Sequence, residues 1–223
     1  MPRVSEEYLQ NKKKEIVDAA YRVCVRKPIT SMEMKDVIAE TGFSHGVVYR
    51  YYKDLDDVLA DLVVRINSEH RIDGKVDEIL KKYGDDHDKA VHEICKMLAA
   101  YMRNVGVDLM RVSIYCDVLA MSEPERVLKV ADRIESEARS PLVYLVAALG
   151  SYLANIVEAK GLKPVKTIDE ILQFFIASFQ GIQTGYVLTE SIKIEGVEGR
   201  YKTEDMFDCL ADSVVLMVEG RSC

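Results

Sequence analysis

The chain has 223 residues, of which 48% are hydrophobic and 30% are charged, and this composition excludes a disordered chain and a small disulfide-stapled fold. With only 12 Gly and 5 Pro, it favours long helices over a protein of many strands. The formal net charge is −7, yet residues 1–53 carry ten basic and seven acidic side chains, a net charge of +3, and the remainder carries −10. The basic segment 1–53 can therefore approach a polyanion, while the acidic remainder of the chain is repelled by it.

The cysteine pattern and the N-terminus indicate an intracellular protein. None of the five cysteines forms a C-x-x-C pair, so we expect reduced thiols. The N-terminus is charged where a signal peptide needs an apolar stretch, which predicts no export and a cytoplasmic location. Two uncharged runs, 141–157 and 171–188, approach membrane-spanning length, but both contain polar side chains and are predicted to be buried helices of a soluble protein.

The first predicted helix has one apolar face and ends at Pro28. The face has the i, i+3, i+4, i+7 spacing of a helix and consists of Ile16, Ala19, Ala20, Val23 and Cys24. Thr30 and Glu33 then match a capping box, in which each side chain accepts the other residue's amide. This pair predicts a short second helix from Ser31 to about Glu40.

A tight turn separates the second helix from a third. Gly42 in Thr41-Gly42-Phe43 can supply the unusual backbone angles of the turn. Ser44 can cap a third helix to about Lys53, and Asp54 can cap a fourth from 55 to about 70. Two short helices joined by such a turn have the geometry of a helix-turn-helix motif.

The rest of the chain is also predicted to be helical, so the fold class is all-α. Helices are expected at about 86–104, 107–121, 123–138 and 141–160. Thr167 is expected to cap a helix over 168–188. After a loop at 191–202, a last helix is predicted from Thr203 to near Gly220.

The third helix has two unlike faces. Val48 and Tyr52, four residues apart, are predicted to point inward, whereas the opposite face carries groups that can meet DNA bases, phosphates or a thymine methyl. A free helix start at Thr30 and Ser31 offers amides to a phosphate. The candidate DNA-binding residues are Thr30, Ser31, Ser44, His45, Gly46, Val47, Tyr49, Arg50, Tyr51 and Lys53. The alternative is a buried helix hairpin whose tyrosines are core.

These residues resemble the DNA-binding domain of TetR-type transcriptional regulators. The resemblance covers about residues 10–62, through Glu15-Ile-Val-Asp-Ala-Ala, Thr30-Ser-Met-Glu-Met-Lys-Asp-Val-Ile-Ala and Gly42-Phe-Ser-His-Gly-Val-Val-Tyr-Arg-Tyr-Tyr-Lys. It implies a three-helix DNA-binding domain at 1–54 and a helical ligand-binding and dimerisation domain at 55–223.

The resemblance also implies roles for single positions. His45 and Val47 fall on base-facing positions, Tyr49 on a phosphate-facing one and Tyr51 on another contact position, while Thr30 and Ser31 fall on the phosphate-contacting start of the second helix. The chain departs from the family where Leu55 replaces a lysine that reaches a phosphate, a contact for which Lys53 could partly substitute. Tyr52 replaces the usual phenylalanine.

In the family, the last two helices form the dimer interface, and the sequence supports such an interface here. Ala177, Gly181 and Gly185 make a smooth ridge that permits close helix contact, and an apolar pair of helices suits a four-helix bundle across a two-fold axis. The alternative is that both helices lie inside a monomer. The candidate interface residues are Phe175, Ala177, Phe179, Gly181, Ile182, Gly185, Phe207, Leu210, Val214 and Met217.

A small-molecule effector is implied by the family, and thioethers with phenolic hydroxyls suit an adaptable apolar pocket. Methionine and tyrosine at helical spacing are also ordinary core residues. The candidate ligand-binding residues are Met97, Tyr101, Met102, Met110, Tyr115 and Tyr144.

The combined prediction is a homodimeric repressor that leaves its DNA operator when a small molecule binds, without enzymatic activity, cofactor or metal. One competing hypothesis is a helical metalloenzyme with ligands in Asp85–Asp88, His92 and Glu93, although His87 and His92 diverge by about 140° on a helix. The other is a helical adaptor that binds protein through Tyr49 and Arg50.

Overall fold

A computed structural model describes residues 6–134, 140–192 and 202–221, and every regular element in these ranges is helical. The helices are α1 (Glu6–Arg26), α2 (Met34–Thr41), α3 (His45–Tyr51), α4 (Leu55–Glu69), α5 (Asp73–Tyr83), α6 (His87–Ser122), α7 (Pro124–Ala131), α8 (Pro141–Lys160), α9 (Ile168–Ser191) and α10 (Thr203–Glu219). A short 3₁₀ turn, Ile29–Ser31, precedes α2. The all-α prediction is confirmed. The loop predicted at 191–202 lies mostly outside the described residues.

The chain divides into two compact units. Within the described residues, the first comprises 6–70 and 111–134, and the second comprises 71–110, 140–192 and 202–221. The predicted boundary at residue 54 therefore falls inside the first unit, and a functional division there stays a prediction.

The core of the first unit forms around the apolar face of α1, where every residue predicted for that face is buried. α2 and α4 pack against this helix, and Val37, Val58 and Leu62 fill the space at no more than 2% exposure. Val112 and Leu119 of α6 belong to the same cluster. The first unit therefore combines the N-terminal helices with a segment that follows them by more than forty residues.

The second unit packs α8 against α5 and α9, and α9 against α10. The inward face of α8 consists of Leu145, Leu149, Leu153 and Ile156. Its outer face is exposed at Val143, Ala147 and Ala154, so α8 is less buried than the sequence predicts. Among the described residues, this helix alone is long and apolar enough to cross a membrane by length and composition.

Several predicted boundaries are confirmed by their capping geometry. The Asp54 carboxylate accepts the amide of Asp57 at 2.8 Å, and Thr167 and Glu170 form a reciprocal capping box at the start of α9. α6 is interrupted at Gly106, whose φ of 81° and ψ of 166° are not helical, where the sequence places a break. α5 was not predicted, although Val76, Ile79, Leu80 and Tyr83 have the i, i+3, i+4, i+7 spacing of a helix face.

The predicted capping box at Thr30 and Glu33 is wrong. Residues 29–31 form the 3₁₀ turn, and α2 begins three residues later than expected, with Glu33 as its N-cap. The Asp36 carboxylate accepts the Glu33 amide at 2.8 Å and the Lys27 ammonium at 2.7 Å. Lys27 and that amide together hold the pKa of Asp36 below its usual value, so an ionised Asp36 fixes this start instead.

Candidate nucleic-acid interface

The turn between α2 and α3 is fixed by local backbone geometry. Gly42 ends α2 with a left-handed φ of 68°, a conformation that glycine adopts without steric cost. The Thr41 hydroxyl donates to the Ile38 carbonyl at 2.8 Å and accepts the Phe43 amide at 3.0 Å. These contacts set the angle between the two helices, as the helix-turn-helix prediction requires.

α3 is held to the first unit by its inner face. Val48 is fully buried, and Tyr52, the residue that ends the helix, is 3% exposed. The Tyr52 hydroxyl donates to the Asp61 carboxylate of α4 at 2.8 Å. Burial and this hydrogen bond raise the pKa of Tyr52, so the phenol stays protonated as the donor. Both inward residues are confirmed, and the hydroxyl that replaces the family's phenylalanine has its partner.

The outer face of α3 is solvent-exposed and polar. His45, Gly46, Tyr49 and Arg50 are exposed, and the rings of His45 and Tyr49 stack with centroids 6.4 Å apart. A Cβ added at Gly46 would have open space around it, so another molecule's backbone can approach closely there. The remaining candidates are exposed at Ser44 and Lys53 and partly buried at Val47 and Tyr51.

Exposure on this face is consistent with DNA contact and excludes the hairpin whose tyrosines are all core, because Tyr49 is 50% exposed. The imidazole, phenol and guanidinium groups exposed along α3 can donate to base edges and phosphate oxygens. The DNA-binding role of each residue stays a prediction.

Thr30 and Ser31 lie apart from the first turn of α2. Both belong to the 3₁₀ turn, and the carboxylates of Glu33 and Asp36 occupy the helix start. Since negative side chains at a helix start repel an anion, the start of α2 is not suited to bind a phosphate. Hydroxyl contact from Thr30 or Ser31 stays a prediction.

Lysines of α1 reach the helix-turn-helix motif, which the sequence analysis did not foresee. The Lys12 ammonium lies 4.4 Å from the ring centroid of Phe43, and the Lys13 ammonium lies 5.4 Å from that of Tyr52. Cations over aromatic rings are attracted to the ring face. The run Lys12-Lys13-Lys14 was a visible signal, but its position beside the turn follows only from the packing of α1.

The first turn of α4 is also built differently from the family pattern. Leu55 is 8% exposed, so it serves the core and has no charge to offer a phosphate. Asp56 and its neighbours are paired instead with two arginines from the end of the first unit, Arg126 and Arg133. Both arginines were missed in the sequence, because seventy or more residues separate them from their partners.

The predicted ligand residues are not gathered in one described cavity. Tyr115 packs against the core of the first unit, whereas the other five belong to the second unit. There, Met102 and Met110 are buried, and the Tyr144 hydroxyl donates to Asp77 at 2.6 Å. A groove of about 370 Å³ between α6 and α10 is lined by none of the six. A ligand role for the set stays a prediction.

The predicted interface residues separate into two groups. Six are buried within the protomer, where the rings of Phe179 and Phe207 lie 6.2 Å apart and pack α9 against α10. These six are Phe175, Phe179, Ile182, Phe207, Leu210 and Val214. Ala177 and Gly181 are exposed and Gly185 and Met217 are half-buried, so the smooth ridge faces outward.

The histidines proposed as metal ligands are separated by the fold. His87 is 6% exposed, and its Nε2 lies 3.4 Å from the Glu219 carboxylate. His92 instead contacts the carboxylates of Asp88 and Asp212 on the surface of the second unit. Across residues 6–134, 140–192 and 202–221, no three His, Cys, Asp or Glu side chains are grouped to hold a metal ion.

Comparison with known proteins relates the sequence and fold to transcriptional regulators. No protein-family model matches the chain. A curated relative, the uncharacterised HTH-type transcriptional regulator YfiR from Bacillus subtilis (strain 168), is 27% identical over 188 residues, which cover 81% of this chain and 82% of YfiR.

Solved structures share the fold over nearly the whole chain. A Rhodococcus sp. protein assigned to the TetR family of transcriptional regulators matches with a TM-score of 0.64 and 15% identity, covering 93% of this chain and 99% of that one. FadR from Bacillus subtilis, solved in complex with stearoyl-CoA, matches with a TM-score of 0.58 and 15% identity, covering 94% and 99%. The chain therefore has the fold of the TetR-family transcriptional regulators, which confirms the resemblance carried by residues 10–62.

Proposed function

We propose that the protein is a cytoplasmic, homodimeric, DNA-binding transcriptional regulator, and specifically a repressor. The observation that carries this proposal is α3 itself, a helix anchored by Val48 and Tyr52 whose outer face exposes His45, Tyr49 and Arg50. A rigid short helix with such a face suits insertion into the major groove. The similarity to YfiR and the TetR-type fold support the same function.

The homodimer is proposed from the outer face of α9. Phe174, Ala177, Gly181, Thr184 and Leu188 are all exposed, and their alternating spacing of three and four residues is that of a coiled-coil seam. Phe174 is 43% and Leu188 52% exposed, and with the small residues between them they form an apolar strip that a second copy of the chain can cover. A homodimer supplies two α3 helices, and two half-sites one turn of DNA apart require a spacing of about 34–36 Å between them.

Release by a small molecule is proposed from the neighbours with known ligands. FadR from Bacillus subtilis was solved with stearoyl-CoA, and the multidrug-binding protein EbrR, with a TM-score of 0.52, was solved with ethidium. In our proposal, an effector that binds the second unit favours a state in which the two α3 helices no longer match one turn of DNA. The effector must bind the two states with different affinity for this to operate.

Selection of bound duplexes from a random pool tests the proposed function. We expect one enriched sequence with two related half-sites and an affinity that falls steeply with salt. Absence of any enriched duplex would contradict sequence-specific DNA binding and leave the protein-binding adaptor as the better hypothesis.

Two substitutions on α3 then separate positioning from base recognition. Tyr49→Phe removes a hydroxyl and should weaken binding to all duplexes alike, about fivefold if that hydroxyl meets a phosphate. His45→Ala should instead change which half-site is selected. Unchanged affinity and preference in both variants would remove α3 as the recognition element.

A further inference from the structure

The residues that follow α3 are strongly acidic. The first turn of α4 begins with Asp54 as N-cap and carries Asp56 and Asp57, three carboxylates within six residues of the end of α3. Carboxylates suit a helix N-terminus, but negative charge beside a recognition helix repels the phosphates that the helix must approach. In this chain, the acids of the turn are paired.

Two arginines from α7 and the turn after it bind these carboxylates. The Arg126 Nε donates to the Asp56 carboxylate at 2.7 Å, and both side chains are only 22% exposed. Arg126 also reaches Glu123, the N-cap of α7, at 3.3 Å. Arg133 bridges two acids, since its Nη1 lies 2.8 Å from Asp54 and 2.8 Å from Asp57.

The same carboxylates fix the backbone that connects α3 to α4. Asp54 accepts the Asp57 amide at 2.8 Å, and Asp57 accepts the Lys53 amide at 3.1 Å. Arg133 holds the pKa of Asp54 below its usual value, so this cap is ionised at neutral pH. Lys53 and Asp54 are two of the three residues between α3 and α4, and the third, Tyr52, is held by Asp61.

We propose that Arg126 and Arg133 are positioning residues for DNA recognition, which clamp the start of α4 and thereby fix the orientation of α3. The inference rests on the proposed DNA-binding function. The arginines act through Asp54, Asp56 and Asp57 and do not contact DNA. Because α4 packs against α7 as well as α1, the clamp joins the helix-turn-helix motif to the later segment of the first unit.

Hydrogen exchange of the free protein tests the clamp without DNA. The variant is Arg126→Gln combined with Arg133→Gln, and the matched control is Lys129→Gln, which removes a positive charge from an exposed position of the same helix. We expect amide exchange in residues 45–57 to become about fivefold faster in the double variant and to stay unchanged in the control. Equal protection in all three proteins would overturn the proposal.

Binding to the duplex selected by the wild-type protein tests the consequence for recognition. The double variant should bind that duplex about tenfold more weakly, keep its affinity for a scrambled duplex and keep the same dependence on salt. Arg126→Gln should have no effect in an Asp56→Asn background, because its partner is already gone.

A direct phosphate contact gives the opposite pattern. The salt dependence of binding would then decrease by about one ion per arginine, and the affinity for the scrambled duplex would fall as much as the affinity for the selected one. Arg126→Gln would also lower the affinity in the Asp56→Asn background. That result overturns the positioning role. If the wild-type protein selects no duplex, the proposed function fails, and the exchange measurement alone decides whether the clamp fixes residues 45–57.

Discussion

Gly181→Leu should affect the protomer and the dimer in opposite directions. Gly181 lies within α9 and is exposed, and a Cβ added there meets nothing within 4 Å in the protomer. Replacing a helix-interior glycine by leucine therefore stabilises the protomer by roughly 0.8 kcal/mol, the difference in helix propensity. The protomer gives no reason for the substitution to be harmful.

In the proposed dimer, the added side chain occupies the centre of the α9 seam. Overpacking a close contact costs roughly 1–3 kcal/mol per side chain, and a two-fold axis places two such side chains in one interface. The combined cost of roughly 2–6 kcal/mol raises the dimer dissociation constant by roughly 30-fold at the lower end.

Sedimentation equilibrium over a range of protein concentrations measures this dissociation constant, and thermal unfolding of the monomeric fraction measures the stability of the protomer. Ala154→Leu is the control, because it adds a similar side chain to an exposed position of α8. We expect Gly181→Leu to be monomeric and folded, with Ala154→Leu unchanged in association. A wild-type monomer, or a Gly181→Leu dimer as tight as the wild type, would refute the seam.

Three further predictions concern stability. Tyr52→Phe keeps the buried ring but removes the hydroxyl that donates to Asp61 at 2.8 Å. The free energy of unfolding, measured by urea titration, should therefore fall by about 1 kcal/mol. An equal loss in an Asp61→Ala background would show that the two residues are not coupled. Burial lowers the pKa of His92, but the Asp88 carbonyl and the Asp212 carboxylate outweigh burial and raise that pKa overall. Protonated His92 therefore stabilises the folded state fully below pH 6.5, and this stabilisation is lost as the pH rises through the raised pKa. His92→Gln should lower the Tm by about 2 °C at pH 5.5 and leave it unchanged at pH 9. Gly220→Ala places a Cβ against the Lys163 carbonyl at a φ of 75°, whereas the Cβ of Gly161→Ala, at a φ of 60°, meets open space. In the same titration, the free energy of unfolding should fall by at least 2 kcal/mol for Gly220→Ala and by about 1 kcal/mol for Gly161→Ala. Equal losses would show that the Cβ does not collide with the carbonyl.

Local sequence patterns predicted the helix-turn-helix motif well because its determinants are close in sequence. Gly42, Val48 and Tyr52 fix the turn and the inner face within about ten residues, and each has the predicted placement. The start of α2 could not be predicted in the same way, because Thr30–Glu33 and Glu33–Asp36 offer competing caps. The pairing of Asp36 with Lys27, the residue that follows α1, favours the second.

The candidate interface on α9 shows a different limit. This helix has apolar side chains around most of its circumference, so a pattern cannot tell which face meets α10 and which faces outward. Phe175 and Phe179 pack inside the protomer, while Phe174 and Ala177 are exposed. The small residues predicted a ridge whose Ala177 and Gly181 are exposed, but side-chain size did not separate the phenylalanines, and the dimer contact stays a prediction.

The composition of the first unit matters for anyone who wishes to exchange DNA-binding heads between regulators. Val112 and Leu119, only 2% and 6% exposed, lie in the core cluster that also contains Ile16 and Val58. A protein truncated after residue 70 would expose the apolar surface that these two side chains cover, and it would aggregate more readily. A chimaera that keeps this core intact must transplant two separate stretches of gene, one for each part of the unit.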